Sequence, residues 1–129
     1  LADHAAQVKD SGELTEFVRQ RMGRRITREN LTDSGELSAL VLEPSAEELF
    51  RENGRSKDAR ALTKVTNLLE NATREMIESD DPPVLVVAPD VRRAVSSVAR
   101  RHIPGLTVLS YREVDPSVPF VTRKIVHAS

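Results

Sequence analysis

The residues able to do chemistry are few in this chain, and their spacing does not suit it. Three histidines, His4, His102 and His127, stand far apart, and no two share a helix face at the i, i+4 spacing of a zinc site. No carboxylate is singled out as a partner for them, so no metal ligand set is assigned. Asp80 and Asp81 are adjacent, and neighbouring side chains diverge, which suits a helix-end loop better than a carboxylate dyad. None of the serines sits in a Gly-x-Ser-x-Gly turn between strand and helix. Without cysteine there is no thiolate nucleophile and no disulfide. Asn30-Leu31-Thr32 and Asn71-Ala72-Thr73 match the glycosylation pattern. No secretion signal accompanies them and the second lies in a helical stretch, so both are read as chance. No catalytic, cofactor-binding or metal-binding residue is assigned, and no enzymatic activity is expected.

Two arginine groups remain. Arg92, Arg93, Arg100 and Arg101, followed by His102, fall on a helical segment and are placed opposite Val91, Val95 and Val98. A solvated outer face explains them; so does a docking patch for an acidic partner, because the guanidinium fork matches a carboxylate. Tyr111, Arg112 and Glu113, just beyond a strand end, form a second candidate partner-binding group, since such loops often carry binding residues. Arg19 to Arg28 has the same two readings as the first group, plus contact with a neighbouring subdomain.

The elements that must position these groups are legible from periodicity. Val84 to Ala88 is a continuous apolar run between prolines, the mark of a strand covered on both faces, and is expected to be the most buried strand. Pro89 is placed as the first helical residue after it, and Pro104-Gly105 as the stop before the strand that begins near Leu106. This βαβ unit has no glycine in its first strand-to-helix turn, which runs Ala88-Pro89-Asp90. Phosphate-cradling loops need glycine there, and Asp90 would repel a phosphate. Upstream, Leu14, Phe17, Val18, Met22 and Ile26 predict a helix from Ser11 to about Asn30. Leu37–Leu42 reads as a strand, and Pro44 opens a short helix bearing Ala46, Leu49 and Phe50. After the break at Asn53-Gly54-Arg55-Ser56, a long helix from about Asp58 carries the seam Leu62, Val65, Leu69, Ala72 and Met76, with Leu68 and Ile77 beside it. Val118 to Val126 is a strand, and Pro119 assigns it to an edge. The order α, β, α, α, β, α, β, β predicts an α/β fold with a small, mostly parallel sheet covered by helices.

Composition bounds the class. The 129 residues suit one domain, or one domain and part of a neighbour. Aromatics are 3% with no Trp, so the core must be aliphatic. A net charge of −1 opposes a general nucleic-acid binder, and no apolar run nears the roughly 20 residues of a membrane span. The chain opens Leu1-Ala2-Asp3-His4 without an initiator Met and is read as an excised portion of a longer protein.

Taken in order, four stretches resemble one family. They are Leu1-Ala2-Asp3-His4-Ala5 with Glu16-Phe17-Val18-Arg19-Gln20-Arg21-Met22-Gly23-Arg24-Arg25-Ile26-Thr27; Leu40-Val41-Leu42-Glu43-Pro44; Pro82 to Pro89 with Arg100-Arg101-His102-Ile103-Pro104; and Val108-Leu109-Ser110-Tyr111-Arg112-Glu113-Val114. The chain is similar over nearly its whole length to the type III export gate family, which comprises flagellar FlhA and its injectisome homologues. The resemblance implies an integral membrane protein of the bacterial inner membrane whose cytoplasmic region has four subdomains and forms a nine-membered ring. That ring receives export substrates and chaperones, and the ATPase stalk docks on its fourth subdomain. Residues 1–24 would then be the helical end of the third subdomain, loosely held at Leu1 to Asp10, and residues 25–129 the fourth. No cofactor and no nucleic acid are implied, and the fragment itself is not inserted in the membrane. The competing expectation, a small α/β enzyme or nucleotide-binding domain, lacks a phosphate loop.

Overall fold

A computed structural model describes residues 11–51 and 59–128 and, within 11–20, the side chain of Val18 only. The expectations for Leu1 to Asp10, for Leu14 and Phe17, and for the break after Arg51 lie outside what is described. The elements are α1 (Ser11–Glu29), β1 (Leu37–Leu42), α2 (Pro44–Arg51), α3 (Ala59–Glu78), β2 (Val84–Val87), α4 (Arg92–His102), β3 (Thr107–Ser110) and β4 (Phe120–Val126). The four strands form one sheet in the order β3-β2-β1-β4, and every pairing is parallel. The mostly parallel expectation is therefore met in full.

The apolar run of β2 is buried at all four positions, with no side chain above 1% exposure. Alternation splits it between two cores. Leu85 and Val87 join Leu40, Leu42 and Val108 beneath the three helices, where Phe50, Val65, Leu69, Met76, Val95 and Ala99 fill the space. Both β-helix-β connections preserve the right-handed crossover only if their helices lie on one face, which is where these side chains meet. Val84 and Val86 face the other way, with Leu37, Ala39 and Leu109, against Ile26, Leu31, Val114 and Val118. That second face is covered by the end of α1 and by residues 111–119. This stretch leaves the C-terminal end of β3 and crosses the sheet to begin β4 on the far side of β1.

The long helix packs as its seam requires, with Val65, Leu69, Ala72 and Met76 buried; Thr73 joins them, while Ile77 is exposed. It ends at Asp80, whose φ of 64° is left-handed, with the Asp81 N–H donating to the Met76 carbonyl. β4 occupies the edge, as Pro119 implies. Pro89 is not helical: it lies in the turn before α4, whose N-cap is Val91.

α1 departs from its apolar pattern. Val18 and Met22 are exposed, whereas Gly23 and Thr27 are buried. The cause is a close approach of backbones. A Cβ built on Gly23 would stand 2.2 Å from the Glu113 carbonyl oxygen, so only glycine lets the helix settle onto residues 111–115. Thr27, one turn on, donates its hydroxyl to the Gly23 carbonyl at 2.7 Å and accepts the Asp115 N–H at 3.1 Å.

Leu69→Ala should lower stability by about 2–5 kcal/mol in a denaturant titration, and exposed Lys64→Ala by less than about 0.5 kcal/mol. Equal costs would refute the orientation of α3. Gly23→Ala should destabilise by about 1–3 kcal/mol through overpacking. A mid-helix alanine ordinarily gains about 0.5–1 kcal/mol over glycine. Thermal melting thus reads the sign, and a more stable Gly23→Ala protein would exclude the close approach.

Candidate docking surface

The two candidate groups touch at one point, Arg92 against Glu113, at the C-terminal end of the sheet, while Arg100 and Arg101 lie in the last turn of α4 near its other end; each group has a buried and an exposed part. Arg92 is 6% exposed and Glu113 1%. Arg92 Nε lies 3.9 Å from Glu113 Oε1, and the same oxygen accepts the Ser110 N–H at 2.8 Å. Both residues were expected on the surface, and both are corrected. Arg92 shares the i, i+3, i+7 stripe of Val95 and Ala99, so it enters the core side of α4 instead of facing Arg93 outward. Arg93, Arg100 and Arg101 are exposed, and so are Tyr111 and Arg112.

Arg101 and His102 border a cleft of about 510 Å³ between α3 and α4, with Leu49, Phe50, Leu62 and Val98 among its apolar lining. A second cleft, of about 480 Å³, opens on the other face of the sheet and is lined by Tyr111 and Phe120 over Val41, Val86, Val114 and Val118. Asp115 closes one wall of it. Its carboxyl is held below the ordinary carboxylate range by the Ser117 N–H and hydroxyl, then by the nearby Arg28 and Arg24 guanidinium groups.

Glu47, which periodicity alone does not single out, is 5% exposed and accepts the Ala88 N–H at 2.8 Å. The donor at the C-terminal end of β2, where a nucleotide-binding fold would present its phosphate loop, is thus already engaged by the chain's own carboxylate. Asp90, in the same turn, takes the Arg51 guanidinium in a two-point contact of 2.6 and 3.2 Å, which holds its carboxyl low. Tyr111 leans on Glu47 from the outside. Desolvation, followed by the Glu47 charge and hydrogen bond, holds its hydroxyl above the ordinary tyrosine value. Among the described residues no group of three or more His, Asp or Glu side chains is placed to hold a metal, and no helix is long and apolar enough to cross a membrane.

The model of the FHIPEP family matches residues 1–119. No curated protein matches by sequence. Among solved structures, MxiA of Shigella flexneri superimposes with a TM-score of 0.77 at 28% identity, over 95% of this chain and 41% of its own. The complex of CdsV and CdsO from Chlamydia pneumoniae gives 0.70 at 28%, over 93% and 37%. The nonameric SctV-C of EPEC gives 0.71 at 20%, over 94% and 38%, a likeness of fold alone. The chain spans about two fifths of the length of these solved relatives.

Tyr111 is the sole tyrosine, so a spectrophotometric titration reads it directly. Its midpoint should lie above about 10, and Glu47→Gln should bring it down by removing the neighbouring charge. A parent midpoint at or below 10 would mean that Tyr111 does not face Glu47.

Proposed function

The chain belongs to the FHIPEP family, the export gates of type III secretion, and on that footing we propose that it is the C-terminal cytoplasmic end of such a gate and offers a docking surface to other proteins of the export apparatus. In this reading residues 1–24 end the preceding subdomain and residues 25–129 form the last one. The whole protein sits in the bacterial inner membrane, with this part on the cytoplasmic face as one segment of a nine-membered ring that receives substrates and chaperones. The partner we assign to this part is the coiled-coil stalk of the export ATPase. A nonameric relative supports the ring, and a relative in complex with a second protein supports a protein partner, without identifying it as the stalk.

The observation that carries the reading is the outer face of α4. Arg93, Arg100 and Arg101 stand exposed there, on a helix whose opposite stripe is fully committed to the core. Charge presented on a rigid, packed helix costs little ordering entropy on binding, so it serves recognition well. An enzyme or nucleotide-binding reading is the weaker one, because Glu47 occupies the strand-end donor that a phosphate would need.

Arg93→Glu, Arg100→Glu and Arg101→Glu are combined in the full-length protein in cells, and Arg92 is left alone because it is buried. Secretion should fall with no drop in protein level. Binding to the purified stalk should weaken, by the largest factor at low salt, where exposed charges are least screened. Normal secretion together with normal stalk binding would reduce these arginines to solvent-facing residues.

A further inference from the structure

We infer that the open half of the second sheet face, over β1 and β4, is a docking site for an amphipathic helix of a partner protein, apolar along one stripe and acidic along its flank. Parallel sheets are normally covered on both faces. Among the described residues the second face is covered only in part. The end of α1 and residues 111–119 bury Leu37, Ala39, Val84, Val86 and Leu109. Beyond that cover the register Leu37↔Phe120, Ala39↔Thr122 and Val41↔Ile125 lines up β4 side chains on the same face. Phe120 is 42% exposed and Ile125 48%. The chain has only four aromatic residues, and two of them, Tyr111 and Phe120, flank a cleft in this area. Half-exposed aromatics beside an apolar floor are what interface hot spots are made of.

The rim supplies the sign of the partner. Arg112 is exposed next to Tyr111, and Arg24 and Arg28 are exposed beside Asp115 at the cleft wall. The carboxylates at this cleft, Asp115 on its wall and Glu47 behind Tyr111, are both buried and engaged by the chain's own donors, so the exposed charge of Arg24, Arg28 and Arg112 is basic. The breadth suggests a helix: two strands about 4.8 Å apart present a floor roughly as wide as one helix, and helices are the usual cover of a parallel sheet. A two-fold pairing with a second copy fits poorly, because it would bring the same basic rim against itself; a heterologous contact between neighbouring copies is the alternative that self-association would reveal. This surface is separate from the outer face of α4.

The test uses the 129-residue chain and a synthetic helix of about 18 residues made of Leu, Ala and Glu, with the Leu stripe flanked by Glu and no aromatic residue. A twin carries Lys in place of Glu. Because Tyr111 is the only tyrosine and there is no Trp, its fluorescence reports on the cleft. The Glu helix should change that emission saturably, and the Lys twin should not. Phe120→Ser, Ile125→Ser and the pair Arg24→Glu with Arg112→Glu should each weaken binding by about tenfold or more, as loss of a hot-spot side chain does. Circular dichroism confirms that each variant is folded, and either apolar variant suffices if the other unfolds. Arg100→Glu with Arg101→Glu should leave binding unchanged, which separates this site from the α4 surface. No saturable change, equal binding of the two helices, or parent-like binding by the folded apolar variants would overturn the inference. So would self-association of the chain that Phe120→Ser abolishes, since that assigns the surface to a second copy.

Discussion

Glu113 is where the three layers of this molecule are tied together. Its side chain has no exposed surface; its carboxylate takes the Ser110 N–H and lies beside the Arg92 guanidinium, and its carbonyl lies 3.3 Å from the Thr27 hydroxyl, sharing the proton given mainly to the Gly23 carbonyl. The same carbonyl is the atom that a side chain on Gly23 would strike. One residue therefore joins the end of β3, the start of α4 and the buried stripe of α1. Burying a carboxylate is costly unless it is paired and hydrogen-bonded, and removing one member of a buried pair typically costs about 3–5 kcal/mol. The chain after β3 is thus held in one path, and that path carries Val114 and Val118 onto the second sheet face.

From this constraint follows the uneven cover of the sheet. The 111–119 stretch is short and runs from one end of the sheet to the other, so it shields a diagonal band, and among the described residues the far corner of β1 and β4 is left exposed. β2, in the middle, is sealed on both faces; β4, at the edge, is buried only at Val126. Polar side chains respect the same gradient. Glu47, Arg92 and Glu113 go inside only where a backbone N–H or an opposite charge meets them, while Arg93, Arg100, Arg101 and Arg112 stay out. Under the proposed docking role, the surfaces open to partners are the places that this packing leaves uncovered among the described residues.

Much of that framework was legible in the sequence, since strands and helices advertise their buried faces locally. The Val84–Val87 run, the α3 seam and the edge position marked by Pro119 needed no partner information. The four stretches that resemble the family are local and continuous, and so are legible in the same way. The polar pairs were not legible, because their members lie 21, 41 and 86 positions apart: Arg92 with Glu113, Glu47 with Ala88, and Thr27 with Glu113. Periodicity reports which way a side chain points relative to its own element and is silent on what waits there. On α1, Ile26 packs as its apolar pattern implies, whereas Val18 and Met22 do not, for a related reason. A glycine that permits backbone contact leaves no hydrophobic signal, so Val18 and Met22 outvoted Gly23 in the pattern and yet face solvent.

Arg92 and Arg93 show what that silence means for function. They are adjacent and chemically identical, and one helical step of about 100° separates a core residue from a surface one. Reversing the charge at Arg93 alters the field seen by a partner. Reversing it at Arg92 would set a second carboxylate against Glu113 in a site sealed from water, where like charges cannot both stay ionised at low cost. The fold would yield first at the connection after β3, and with it both the Tyr111 turn and the cover of the second sheet face. Loss of partner binding from such a change would report on the anchor of the surface rather than on the surface itself. Reading the arginines as one patch therefore merges two physical roles that the geometry keeps apart.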